Sequence, residues 1–479
     1  MPEPALPEPQ PFWLLAHHAR RSPDAVALSS YARDYSYLEV HDYATSIAGL
    51  LRRRGVRPGQ LVLANLRNEL NLLFMEAVYH EAAIWASYAG ELGEREPVAI
   101  DWLLSHEPVD SFPSERTVVI DEAFVAEVAR GEHRDAPLAY ESFDSVCRVS
   151  FSSGTTGRPM AVGSSVARQA RPAQGWLETR PFFSLIGGFT GSGVKTANAM
   201  IAGGDTYICP GEPGQNVELA QRNFVAALQG SPAQLTEFLD LLARREDRHH
   251  DIVDVQYIGS FLSEHLLGRL RDELGAAVTA CYGSSEMGMI TQRRDVRERP
   301  NDVGAALPGI TIEIVDDQDR LQPTGVEGAI RVRTSRRAAG YLGGADARGA
   351  LRDGWFYPGD LGSLSSEGHL VLSGRASEVI NAGGVKFHPD AVEGVLARVP
   401  GVRDAALVAH TGADGFSGYA AAVVVEDGFE LASLIEPLTA ACAGVPPSSI
   451  FRVGAIDRDP NGKVRRRELA ARLTAAKPG

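Results

Sequence analysis

The sequence predicts an α/β fold: a large N-terminal α/β domain, residues 1–373, followed by a small C-terminal α+β domain, residues 374–479. Three observations predict it. The chain has 479 residues, more than one hydrophobic core supports, so it divides. Its N-terminal stretch alternates helical and strand-like periodicity, as a largely parallel sheet requires. Beyond residue 304 the apolar period falls to two, and from residue 374 a shorter helix–strand–strand–helix pattern follows.

Taken in order, Tyr43, Ile47 and Leu50 recur at helical spacing, and Gly55 ends that helix in a C′ position. Arg57-Pro58-Gly59 turns the chain into the strand Leu61-Val62-Leu63-Ala64. Residues 71–85 read as a second helix, and residues 117–120 and 147–151 as strands. Residues 310–315 and 328–333 alternate as half-buried strands around a loop at 316–325. In the small unit, helices are expected at 390–399 and 431–442, with strands at 405–408 and 420–425.

Composition narrows the function. Hydrophobic residues make up 44% and charged residues 23%, ordinary for a globular chain, which excludes wholesale disorder and coiled coil. The net charge of −14 offers no basic field for a phosphate backbone, so no nucleic-acid partner is expected. Residues 1–11 are acidic and proline-rich without an apolar h-region, and no apolar run is long enough to span a bilayer. No membrane partner is therefore expected, and a cytoplasmic location is. Cys147, Cys209, Cys281 and Cys442 lie far apart, without metal-knuckle or disulfide-framework spacing. The doublets His17–His18 and His249–His250 read as surface residues. Among 47 basic residues only Lys195, Lys386, Lys463 and Lys477 are lysines, so each remaining ammonium is a candidate for work that arginine cannot do.

One segment carries chemistry directly. Ser152-Ser153-Gly154-Thr155-Thr156-Gly157-Arg158-Pro159 follows a strand, and its small hydroxyl-bearing residues suit an anion nest or, equally, a surface turn. Gly188 to Thr196 nearly spells a P-loop, but Val194 intrudes before Lys195 and misplaces the lysine.

The 152–159 segment resembles the phosphate loop of the AMP-forming adenylating superfamily of acyl-CoA synthetases, nonribosomal adenylation domains and luciferases. Further segments resemble that family's motifs in order. Gly259-Ser260-Phe261 matches the adenine-lining segment. Tyr282-Gly283-Ser284-Ser285-Glu286 matches the segment whose tyrosine stacks on adenine and whose glutamate holds Mg²⁺. Asp360 falls where an aspartate accepts the ribose hydroxyls, and Arg375 where an arginine lies near the ribose at the hinge between domains. Lys463, in Pro460-Asn461-Gly462-Lys463-Val464, matches the adenylation lysine.

The resemblance implies ATP and Mg²⁺ as cofactors, with Lys463, Glu286, Thr155 and Thr156 catalytic. It implies an acid pocket lined by Phe183, Ser184, Gly188, Ile258, Cys281, Met289 and Ile290. Ser184 replaces the aspartate usual in enzymes that activate α-amino acids, and the mostly apolar lining suits an aryl or alkyl carboxylic acid. Lys386, in Asn381-Ala382-Gly383-Gly384-Val385-Lys386, matches the segment that faces a pantetheine thiol, from CoA or an acyl carrier protein. The implied function is an AMP-forming acid–thiol ligase. A nitrogen acceptor and a non-catalytic nucleotide-binding descendant are the rival readings. Met160 stands where the family's phosphate-loop lysine is usual, with Ala161 after it in place of glycine. Ser377 replaces the usual hinge aspartate or lysine, and residues 81–146 are short against the family.

Overall fold

The computed structural model describes residues 11–66, 68–87, 98–131, 135–152, 160–169, 180–188, 190–260, 262–343, 349–382, 384–411, 417–458 and 463–475. Residues 153–159, Phe261, Gly383 and residues 460–462 lie outside that set, and the side chain of Ser152 does too.

Two sheets form the centre of the large unit. The first has seven strands in the order Gly340–Tyr341, Met160–Ser165, Val146–Ser152, Ile84–Ser87, Leu61–Asn65, Trp102–Ser105, Thr117–Val119. Its pairings from Val146–Ser152 through Thr117–Val119 are parallel, and Met160–Ser165 returns antiparallel as a hairpin partner. The second places Phe182–Ser184, Ala227–Gly230, Asp254–Tyr257 and Ala277–Ser284 in parallel, closed by the antiparallel strand Gly288–Arg293. The period-two segment forms a six-stranded antiparallel sheet in which Ile310–Val315 pairs Gly328–Thr334 throughout.

The helix Tyr37–Arg54 starts at a capping box from Ser36 and Glu39 and stops at Gly55 in the left-handed region, as the sequence indicates. The expected helix over 71–85 divides. The chain is helical over Asn68–His80, turns with Ala82 at φ 50°, and enters the strand Ile84–Ser87. Trp85 thus belongs to a strand, paired with Val62 on one side and Arg148 on the other. A strand buried on both faces has the same apolar pattern as a buried helix, which is why periodicity merged the two. Likewise the expected 431–442 helix is a 3₁₀ turn, Leu431–Leu434, then the helix Ile435–Ala441. Pro437 has no amide hydrogen and is accommodated in that helix's first turn. His18 is half-buried rather than on the surface, with its Nε2 3.2 Å from the Ala202 carbonyl.

Residues from Ile380 onward form cores of their own. Leu407, Tyr419, Val423 and Leu438 pack on one face of the sheet Val402–Thr411, Ser417–Val425, Ser449–Arg452; Val408, Phe451 and Leu469 pack on the other. No helix among the described residues is long and apolar enough to cross a membrane.

Candidate active site

A cleft of about 1410 Å³ runs between the large unit and the residues beyond 374. Gly259, Ser260, Cys281, Tyr282, Gly283, Asp360 and Arg375 line it from one side, and Lys463 from the other. Seven sequence-derived candidates and the scarce lysine therefore share one space.

Three of these side chains are joined. The Tyr282 hydroxyl donates to Asp360 Oδ2 at 2.6 Å, and Arg375 Nε lies 3.1 Å from Asp360 Oδ1. Burial and the Asp360 charge push the Tyr282 phenol well above its ordinary range, so it stays a hydrogen-bond donor. Burial alone would lower the Arg375 guanidinium, but Asp360, Glu378, Tyr282 and Glu286 raise it. Each Asp360 oxygen spends one lone-pair direction on these partners and keeps another for a ligand hydroxyl.

The strands Ala277–Ser284 and Gly288–Arg293 form the hairpin that presents Glu286. It can form only because position 283 is glycine: a Cβ there would overlap the Gly288 carbonyl oxygen. Ser284 Oγ accepts from the Met287 amide at 3.1 Å and tightens the turn. Glu286 is buried, and its Oε1 accepts the Tyr341 hydroxyl at 3.0 Å. The Ser285 carbonyl accepts from Arg168 Nη2 at 2.9 Å.

The expected acid-pocket residues divide. Ser184 is buried, donating to Gln229 Oε1 at 3.1 Å and accepting from the Ile186 amide. Gln229 and Gln256 continue this as a buried polar ladder, to Asp254 and Thr279. Alternation carries the ladder across four adjacent strands, a juxtaposition that no single segment displays. Gly188 is buried, its carbonyl accepting from Ser87 Oγ at 3.4 Å. Ile258 and Met289 are half-buried, whereas Phe183 and Ile290 are fully buried members of the core. Cys281 is buried, and burial pushes its thiol far up, so it is no nucleophile.

Lys386 is exposed on the strand Val385–Phe387, outside the lining of the cleft. Ser153, Gly154, Thr155, Thr156, Gly157 and Phe261 lie outside the described residues, as does the Ser152 side chain.

Sequence reading missed several residues. Arg466, three positions beyond Lys463, donates to Glu378 at 3.1 Å, to the Leu407 carbonyl at 3.0 Å, and to Asp390 and Glu393. Arg148 and Arg168 gather behind Glu286 with Lys195, one of the four lysines that the sequence singled out. In a chain whose basic residues are nearly all arginine, no local signal distinguished these arginines.

The AMP-binding enzyme family matches residues 90–342. Among curated relatives, a 2-hydroxy-7-methoxy-5-methyl-1-naphthoate–CoA ligase of Streptomyces carzinostaticus is 26% identical, covering 95% of this chain and 92% of its own. A 2-succinylbenzoate–CoA ligase of Bacillus cereus strain Q1 is 26% identical over 88% of this chain and 89% of its own. In three dimensions the chain resembles the anthranilate CoA ligase AuaEII, solved with anthranoyl-AMP, at TM-score 0.86 and 20% identity over 98% of both chains. It also resembles the O-succinylbenzoate coenzyme A synthetase of Bacillus subtilis, solved with ATP and magnesium, at TM-score 0.81 and 21% identity, covering 95% of this chain and 98% of the other. The two-unit architecture, the order of the motifs and the family match agree: this chain belongs to the AMP-binding enzyme family.

Proposed function

We propose that the protein is an AMP-forming ligase that adenylates an aryl carboxylic acid with ATP and passes the acyl group to the thiol of CoA. The observation that carries the reading is the meeting of Tyr282, Asp360 and Arg375 with Lys463 across one cleft. The relatives' names add an aromatic acid and CoA as the terms of the reaction.

Asp360 accepts the ribose hydroxyls through its remaining lone pairs, and Arg375 holds that carboxylate charged and oriented. Tyr282 packs against the adenine, with Gly259 and Ser260 beside it. Glu286, a buried carboxylate whose Oε1 is oriented by the Tyr341 hydroxyl, would hold Mg²⁺. Held by Glu286, the ion would supply charge neutralisation at the phosphates. Attack of the substrate carboxylate on the α-phosphorus releases pyrophosphate. Lys463 stabilises the charge that builds on the phosphoryl oxygens. Thr155, Thr156, Ser152, Ser153, Gly154 and Gly157 are assigned to the phosphate loop on sequence alone.

For the second half-reaction we assign residues 374–479 as a mobile unit turning at Gly374–Arg375, which brings Lys386 towards the pantetheine arm. CoA rather than a carrier protein is the acceptor favoured by the relatives. Four free, buried cysteines suit a reducing compartment, and we place the enzyme in the cytoplasm. ATP–pyrophosphate exchange with a panel of aryl, alkyl and amino acids tests the reading: aryl-acid-dependent exchange is expected, and exchange confined to amino acids would contradict it.

A further inference from the structure

Three cations from three separate segments meet behind the Glu286 turn. Arg148 comes from the strand Val146–Ser152, Arg168 from the short helix Val166–Gln169, and Lys195 from the helix Gly191–Gly203. Gly288 measures their closeness: a Cβ built there would lie 3.2 Å from Lys195 Nζ and 3.5 Å from Arg168 Nη2. Arg148 Nη2 donates to Ser150 Oγ at 2.6 Å and to the Gly191 carbonyl at 3.4 Å, at the start of the helix that carries Lys195.

Among the described residues, the hydrogen bonds of the two guanidiniums go to neutral acceptors. Arg168 donates to Ser164 Oγ and to the Ser285 carbonyl, and Arg148 to a hydroxyl and a carbonyl, so none of these acceptors is ionised. Arg148 is 4% exposed, yet its Nε and Nη1 have no hydrogen-bond partner among the described residues. A buried guanidinium with two idle donors costs several kcal/mol unless an anion meets it. Burial pushes Lys195 down to about 8, and Arg168, Arg148 and Arg336 push in the same direction. Burial and Arg148 push Arg168 down to about 10, with Glu286 opposing. Lys195 and Arg168 are half-buried.

The cluster sits between the expected acid pocket and the Glu286 turn. Gly288 precedes Met289, a sequence-derived acid-pocket residue, and Gly191 follows Gly188, another. The nucleotide-facing side chains Tyr282, Asp360 and Arg375 line the interdomain cleft, which Arg148, Arg168 and Lys195 do not line. We propose that the acid activated by this enzyme carries a second anionic oxygen group, a carboxylate in the first instance, held by Lys195, Arg168 and Arg148 at the inner wall of the acid pocket. This rests on the ligase reading and names its substrate class.

The test is calorimetric binding of phthalate, isophthalate, terephthalate and homophthalate to the full chain, each against its half methyl ester. At least one diacid is expected to bind ~10- to 100-fold tighter than its half ester, the range for hydrogen bonds to charged groups. That preference should collapse in Lys195→Met and return in Lys195→Arg, with circular dichroism confirming that both variants fold. Equal affinity within every pair, no binding of any of them, or a preference that survives Lys195→Met overturns the proposal. A Lys195→Met variant that instead loses ATP affinity, with wild type blind to the ester, assigns the cations to the triphosphate and also overturns it. Failure of the ligase reading looks different: diacids bind, but none supports pyrophosphate exchange.

Discussion

Glu76 is 3% exposed on the helix Asn68–His80, and burial pushes its carboxyl up to about 8. Its folded value lies above its unfolded one, so the stability this group contributes is present below about 4.5 and lost as pH rises through about 8. Glu76→Gln should therefore be stabilising by roughly 2 to 4 kcal/mol at pH 8 relative to pH 5, read as the variant's melting-temperature gain over wild type at each pH. A gain that does not grow with pH would contradict that. Arg466 argues the other way. With its partners Glu378, Asp390 and Glu393 it forms an ion cluster whose members are at most 31% exposed. Arg466→Met strands three carboxylates and should cost about 3 kcal/mol in the stability of the C-terminal unit. It should also slow adenylation, because it frees the loop that positions Lys463. Retention of both stability and rate would show that the cluster is incidental. At this scale the sequence displayed residues that chemistry makes rare, such as Lys463, and hid those that geometry makes important. Arg466 looks like any other arginine until Asp390 and Glu393 are folded against it.

The hairpin carrying Glu286 and the helix Gly191–Gly203 are the elements on which the site depends. Gly283→Ala would drive a methyl group into the Gly288 carbonyl, so the hairpin must open and Glu286 must move. Pyrophosphate exchange should fall at least ~10-fold with a lowered melting temperature, and unchanged values would show that the close approach is dispensable. Thr190 caps the helix by accepting from the Gly193 amide at 2.9 Å, and Thr190→Ala should cost about 1 kcal/mol by denaturant titration. Elements with a terminating residue or a regular period were legible: the helix ending at Gly55, and the paired strands Ile310–Val315 and Gly328–Thr334. The helix–strand junction at Ala82 was not, because the left-handed turn there uses alanine rather than glycine and the apolar run continues through it. The polar ladder from Ser184 to Thr279 was illegible for a related reason. Its five members are spread over four strands, and only sheet register brings them into line.

The whole molecule is two packed units meeting at a cleft. Ion pairs that bridge them are exposed or long: Arg398 to Glu264 at 3.0 Å and His388 to Glu327 at 3.7 Å. Exposed pairs of this kind contribute about 1 kcal/mol or less, so they hold the two units together only weakly. The order of motifs along the chain was legible from sequence, and so was the family. Their convergence was implied by resemblance, and the cation cluster behind Glu286 was visible only once three distant segments were folded together. The central claim is that Lys463, brought across the cleft to Tyr282, Asp360 and Arg375, drives adenylation of an aryl acid. Its most direct test is acid-dependent ATP–pyrophosphate exchange in wild type and Lys463→Ala, with ATP affinity measured alongside. The account predicts exchange in wild type that falls ~100- to 1000-fold in the variant while ATP still binds. Equal exchange rates in the two proteins would contradict it.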